Sequence, residues 1–415
     1  MRKSVFVIVS GLLAMLALPG SLPAQPAPAA ISSALAELEL RPHAEEEIWR
    51  NLRSRGLPLI EDHPEDEGLR RVTFVIQVPH GTSRVRFDSV INAGMARQPV
   101  EDYLRDFTLP MQALGDTRIH HLTLDVPRDA TAVYSFLIET PQGWRRLSDA
   151  ANPAHLRGAS AEAVLLADSA TRHPAIMPIP FTLRFEPELL TVESAVLGRT
   201  VFLQHHTVGG AEADAPVLVL YDSFNWGVRA PAWEIVQHLV NAGAVPPMHV
   251  VLIDQLDTAS ARQDYDDQLI FLSEELPSAL ADAGIDGRRI LAGASRRGLV
   301  ASRTALERPQ DVLGVISLSG SFYWSPDGQA PRWLTRRVPA ARLDGPRFVL
   351  AAGSLEYVVT STNAGHVMLD TNAAMMQALA DAGHPAEFVL YQGGHDMAGW
   401  RQALAVSLER LFAED

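Results

Sequence analysis

The segment Arg289-Ile290-Leu291-Ala292-Gly293-Ala294-Ser295-Arg296-Arg297-Gly298-Leu299-Val300 constrains the fold more than any other. Its apolar run, Ile290 to Ala292, follows the turn signal Asp286-Gly287 and reads as a buried strand. Leu299, Val300 and Ala301 open a helical pattern that lasts to about Pro309. Strand and helix are therefore joined by a very tight turn with Ser295 at its corner. Such a corner strains the backbone and pushes a serine hydroxyl out above the sheet. It also wants small residues two before and two after the serine, because the two backbones nearly touch. Gly293 meets that need, but Arg297 stands in the second position and glycine returns only at Gly298. The plainer alternative is a helix start capped by the Ser295 hydroxyl.

Around this corner, residues 186–415 alternate strands with helices, which predicts a mostly parallel sheet covered on both faces. Strands are expected at 200–207, 216–221, 249–254, 289–292, 314–319, 347–352 and 386–391. Helices are expected at 232–242, 267–283, 299–307, 372–382 and 400–412. Chemistry in such a sheet gathers just past the C-terminal ends of the strands. Past Tyr221 comes Asp222-Ser223-Phe224-Asn225-Trp226. The backbone N–H of Ser223 or Phe224, with that of Arg296, would make an oxyanion hole; an ordinary turn capped by Asp222 is the alternative. Past Ala352 comes Gly353-Ser354-Leu355-Glu356, whose carboxylate would hold a histidine tautomer and stabilise its imidazolium. Asp370 competes for that role but is expected to cap the helix starting near Asn372. Past Tyr391, after Gln392, comes Gly393-Gly394-His395-Asp396, where a general base belongs. Ser295, Glu356, His395 is the chain order of an α/β-hydrolase triad. The expected fold class is α/β: an α/β-hydrolase with a mostly parallel sheet, preceded by a smaller immunoglobulin-like β-sandwich.

That first domain is placed at residues 31–185. A helical stretch at 34–55, broken by Pro42, ends at Gly56 and Pro58. The pattern then changes to period two, with strands at 72–78, 84–89, 119–126 and 131–140 separated by turn residues. Residues 147–153 and 173–180 lack periodicity, and the latter read as a linker. No catalytic constellation stands out here. His120 and His121 are adjacent and point to opposite faces of a strand, a poor metal pair. Trp49, Tyr103 and Trp144 read as core or interdomain packing.

The chain has 415 residues, and its formal charge of 35 − 49 = −14 leaves no basic face for nucleic acid. It contains no cysteine, which excludes disulfides, thiolate metal sites and a cysteine nucleophile. No cofactor or resident metal is implied. Arg2 and Lys3 precede an apolar stretch at 5–18 that is broken by Pro19-Gly20. This reads as a signal peptide over residues 1–24, too short for a stable membrane span, and implies a periplasmic or secreted protein.

Several of these stretches together resemble the enterochelin esterase family, in the esterase D-like group of α/β hydrolases. In the second domain they are Tyr221-Asp222-Ser223-Phe224-Asn225-Trp226, the run from Val251 to Asp257, Gly293-Ala294-Ser295 and the run from Leu318 to Trp324. Gly353 to Glu356, and Gly393 to Asp396 followed by Trp400, complete that set. In the first domain they are Ile48-Trp49-Arg50 leading to the run from Gly56 to Glu61, then Val72-Thr73-Phe74, and Asp149 with Asn152-Pro153. The resemblance implies hydrolysis of ester bonds in a ferric tricatecholate siderophore, by a sandwich followed by a hydrolase domain. Arg296, Arg297 and Arg262 are the cations expected to meet such an anion, and Trp226, Trp324 and Trp400 the rings expected to stack on catechols, with buried packing as the alternative. Two other readings stand beside it: a secreted carboxylesterase acting on feruloyl or acetyl esters, and an inactive siderophore-binding homologue.

Overall fold

The computed structural model describes residues 28–82, 84–91, 108–157, 162–168, 172–176, 186–254, 265–357 and 367–413. The signal-peptide segment, Tyr103, Asp257 and Arg262 lie outside them. Two helices come first, Ala29–Leu40 and Glu45–Ser54, divided where Pro42 was expected to divide them. Strands β1 (Leu59–Asp62), β2 (Leu69–Gln77), β3 (Val85–Ser89), β4 (Thr108–Pro110), β5 (Gln112–Ala113), β6 (Ile119–Pro127), β7 (Thr131–Thr140), β8 (Gly143–Leu147) and β9 (Ala163–Leu166) follow. They form two sheets, β1-β2-β6-β5 and β4-β3-β7-β8, with β9 paired to β7.

Alternation explains how β2 is used. Val72, Phe74 and Ile76 enter the core between the sheets, beside Phe87, Tyr134 and Phe136. Val75 on the opposite face packs under the two N-terminal helices, with Ile31, Ile48 and Leu52. The strand is thus apolar on both faces because helices cover the outer one. Asp149 and Asn152 secure the sandwich centre: Tyr134 OH donates to Asp149 Oδ2 at 2.7 Å, and Asn152 Nδ2 donates to Tyr134 OH at 2.9 Å. Trp49 packs against the helix cluster. Trp144 does not behave as core: it is 46% exposed on the edge strand β8, with the Arg84 guanidinium 5.3 Å from its ring centroid. His120 and His121 lie on β6, and burial lowers both pKa values.

The second half is one eight-stranded sheet. Its strands are β10 (Glu188–Ser194), β11 (Arg199–Val208), β12 (Val217–Tyr221), β13 (Met248–Ile253), β14 (Arg289–Ala294), β15 (Val312–Leu318), β16 (Arg347–Gly353) and β17 (Ala386–Tyr391). The order is β10-β11-β13-β12-β14-β15-β16-β17, antiparallel at the first two pairings and parallel thereafter. Helices Ala232–Asn241 and Met397–Phe412 cover one face, and Arg296–Glu307 and Met368–Asp381 the other. The central strands are buried on both faces and accordingly read as continuous apolar runs. The 173–180 stretch, expected as linker, instead begins with a 3-10 turn at Pro174–Ile176, and Ala175 there is buried in the hydrolase-side core. Among the described residues no helix is long and apolar enough to cross a membrane.

Candidate active site

Ser295 occupies the corner between β14 and the helix Arg296–Glu307 with φ 56° and ψ −120°, a left-handed conformation costly for a residue with a Cβ. Its hydroxyl does not cap the helix; Oγ instead lies 3.4 Å from Ser321 Oγ. That disposes of the plainer helix-cap alternative. Its own N–H is tied to Leu318 O at 2.8 Å, which locks the corner against β15. The displaced glycine is explained by the same geometry. A Cβ on Gly298 would sit 2.5 Å from Ser317 Oγ and 3.0 Å from Gly293 O, so Gly298 is where strand and helix touch. Arg297 fits in the second position because Gly293 opposite it has no side chain: a Cβ there would sit 2.5 Å from Arg297 Cβ. Its Nη1 donates to Gln268 Oε1 at 2.5 Å and its guanidinium lies 5.0 Å from the Tyr221 ring centroid. Arg296 is exposed at the first turn of the helix.

Glu356 is buried, and its Oε2 faces His395 Nδ1 at 3.2 Å. Burial alone would raise its pKa, but the charge and hydrogen bond of His395, with hydrogen bonds from Ser319 and Tyr391, overcome this and hold it below the usual value. Glu356 Oε1 accepts three hydrogen bonds, from Ser319 Oγ at 2.5 Å, from Tyr391 OH at 2.9 Å and from Gly353 N–H at 3.1 Å. Trp400 Nε1 donates to Ser319 Oγ at 3.0 Å, and its ring meets His395 edge-on at 4.8 Å. These contacts fix Nδ1 as the nitrogen bonded to the carboxylate and leave Nε2 for chemistry. Ser319 and Tyr391 were missed from sequence. Ser319 stands just past β15, so the rule that pointed to Glu356 and His395 would have found it. Asp370 lies in the first turn of Met368–Asp381 rather than at its cap, which is Val367.

The loop past β12 begins with the turn that the plainer reading of it expects. Asp222, at φ 74°, caps the turn: its Oδ1 accepts from Asn225 N–H at 3.1 Å. Ser223 and Phe224 then occupy the first positions of the turn, whose N–H groups have no partner within it. Arg296 holds the equivalent position after Ser295. Trp226 is corrected as a stacking platform: at 2% exposure it belongs to the core with Leu220 and Leu252. Trp324 is half-buried, edge-on to Tyr265 at 4.7 Å and to Trp333 at 6.2 Å. Among the described residues no group of three or more His, Asp or Glu side chains could hold a metal ion.

The sandwich reaches both loops from behind. Leu355, beside Glu356, packs against the sandwich core. Thr131 N–H donates to Gln392 O at 2.8 Å, and Val133 N–H donates to Asp396 Oδ2 at 2.9 Å. Asp396 Oδ1 also caps Met397–Phe412 through Ala398 and Gly399 N–H. Desolvation outweighs these three hydrogen bonds and pushes Asp396 up to about 6. A carboxyl whose pKa is raised on folding contributes stability below its unfolded pKa of about 3.9 and loses it as pH rises through the folded value. Wild-type stability is therefore expected to fall relative to Asp396→Asn between about pH 4 and pH 6, by at most about 3 kcal/mol. Urea titrations of both proteins across that window test this; a difference independent of pH would contradict it.

An eight-stranded sheet with a serine corner after β14, a carboxylate past β16 and a histidine past β17 defines an α/β hydrolase. Residues 198–411 match the Putative esterase family, and the chain belongs to that family. It is 31% identical over 221 residues to the iron(III) enterobactin esterase of Escherichia coli K12, taking in 50% of this chain and 52% of that protein. The chain thus spans about half the length of that relative in the matched region. The iron(III) salmochelin esterase of Escherichia coli O6:H1 is 26% identical over 400 residues, 86% of this chain and 91% of that one. The solved ferric enterobactin esterase of Salmonella typhimurium matches with a TM-score of 0.72 at 22% identity, covering 88% of this chain and 98% of that one. That likeness shows the same fold, N-terminal β domain included.

Proposed function

We propose that this protein is a serine esterase that cleaves the ester bonds of a ferric tricatecholate siderophore, such as a trilactone of dihydroxybenzoyl-serine. Ser295 is the nucleophile, His395 the general base and Glu356 its orienting carboxylate. The observation that carries this is the hydrogen-bonded Glu356–His395 pair at the ends of β16 and β17, together with a strained Ser295 at the end of β14. His395 takes the Ser295 proton as Oγ attacks the ester carbonyl. The carbonyl oxygen becomes an anion met by the N–H groups of Arg296 and of Ser223 or Phe224. The acyl–oxygen bond then breaks, His395 returns the proton to the departing serine oxygen, and water repeats the sequence to release the acid. The relatives named as enterobactin and salmochelin esterases support the substrate class. A ferric tricatecholate is anionic and the chain is acidic, so a cation must face the mouth. Arg296 is exposed at the helix start, where positive charge opposes the helix dipole unless an anion is bound; Arg297 is already engaged with Gln268.

Arg2, Lys3 and the apolar run behind them support export, with cleavage near Ala24 and action in the periplasm or outside the cell. Sequencing the N-terminus of the secreted or periplasmic fraction tests this; an intact Met1 there would contradict it. The substrate class is tested by comparing kcat/KM for a ferric tricatecholate trilactone and a feruloyl ester. A value at least tenfold higher for the trilactone is expected. Preference for the feruloyl ester would move the assignment to a carboxylesterase of the same group, and no turnover of either would leave a binding protein.

A further inference from the structure

A cavity of about 280 Å³ lies between residues 153–157 and 172–176 on one side and the helices Ala232–Asn241 and Met397–Phe412 on the other. Neither Ser295 nor His395 lines it. Four guanidinium groups do: Arg157, Arg172, Arg229 and Arg401. In a chain with a formal charge of −14, such a concentration of cations is not what composition provides. Among the lining residues the carboxylate is Glu234, which receives Arg157 through both its oxygens, at 2.5 and 2.8 Å. Arg229 pairs with Glu162, and its Nη1 donates to Asn225 Oδ1 at 2.6 Å.

Arg401 lies on the helix Met397–Phe412. Its Nε is buried and has no hydrogen-bond partner. Burial, with the neighbouring Arg172 and Arg157, brings its pKa down to about 10 against the opposing charge of Asp396. Asp396 spends its oxygens on backbone N–H groups. Arg157 and Arg229 have partners of their own, and a buried guanidinium N–H left without one, as at Arg401 Nε, is costly unless an anion completes the site. Guanidinium forks match oxyanions in shape and charge, and a cavity of this size is at the small end of ligand pockets.

We propose that this arginine-lined cavity binds a small oxyanion, bearing phosphate, sulfate or paired carboxylate groups, at a site separate from the serine centre. The proposal does not rest on the esterase reading, and its test needs no substrate. Thermal unfolding and calorimetric titration of the mature protein are run with inorganic phosphate, sulfate and malonate against chloride at matched ionic strength. At least one of the three is expected to raise Tm by about 3 °C or more, and Arg401→Gln to weaken its binding at least tenfold. Arg172→Gln gives the same reading should Arg401→Gln fail to fold. The ranking of phosphate and sulfate against malonate tells a tetrahedral from a dicarboxylate ligand. No response to any of the three, or an equal response in wild type and variant, would overturn the proposal.

Discussion

Replacing Ser295 with alanine is expected to lower kcat toward ester substrates by roughly 10⁴-fold or more, the loss typical of removing an attacking serine. The same change is expected to leave Tm within about 2 °C of wild type. The two outcomes have separate causes. Oγ neither caps the helix nor makes a strong internal hydrogen bond, its partner being Ser321 Oγ at 3.4 Å. The positive φ of 56° is kept by alanine, so the strain of the corner remains. In the proposed mechanism activity is lost because the bond-forming atom is gone, while the proposed oxyanion donors persist. Steady-state kinetics and a melting curve on one preparation read both. Retained activity would show that another group attacks; a large fall in Tm would show that the hydroxyl holds the fold.

Gly298→Val is expected to do the reverse and act on stability first. Its Cβ would meet Ser317 Oγ at 2.5 Å, Gly293 O at 3.0 Å and Gly320 Cα at 3.2 Å. Two of these are backbone atoms of β14 and of the segment after β15, so a rotamer change cannot relieve the contact. The helix must back away from the sheet, at a cost of about 3 kcal/mol or more. Arg297→Ala, one residue earlier, removes the bond to Gln268 and the contact with Tyr221, for about 1 kcal/mol. Urea denaturation orders the two. Arg297→Ala costing as much as Gly298→Val would contradict the account of the displaced glycine.

That displaced glycine shows where sequence reading stops. The motif Gly293-Ala294-Ser295 was legible, but which later residue had to be small depended on the angle at which the helix leaves the corner. Apolar runs located the buried parallel strands well; β12 was expected at 216–221 and is found at Val217–Tyr221. Strands missed were at edges or short. β8 is mostly exposed and carries no alternation to detect, and β10 joins the sheet antiparallel at its end. Glu356 and His395 were legible from their places past β16 and β17. The second tier was not: Tyr391 reads as an ordinary strand residue, and its hydroxyl reaches Glu356 only because β16 and β17 pair in register, Gly353 opposite Tyr391. Contacts such as Val133 to Asp396 join residues remote in sequence and leave no local pattern.

The measurement that most directly tests the central claim is intact-protein mass spectrometry of the purified protein, acid-quenched early in incubation with a tricatecholate trilactone. Attack on a macrocyclic ester opens the ring without releasing a fragment, so the first acyl-enzyme carries the whole ligand. The account predicts a mass gain equal to the iron-free trilactone, mapped by peptide digestion to Ser295 and absent from Ser295→Ala. Turnover of the trilactone by Ser295→Ala at the wild-type rate, or an adduct on another residue, would contradict it.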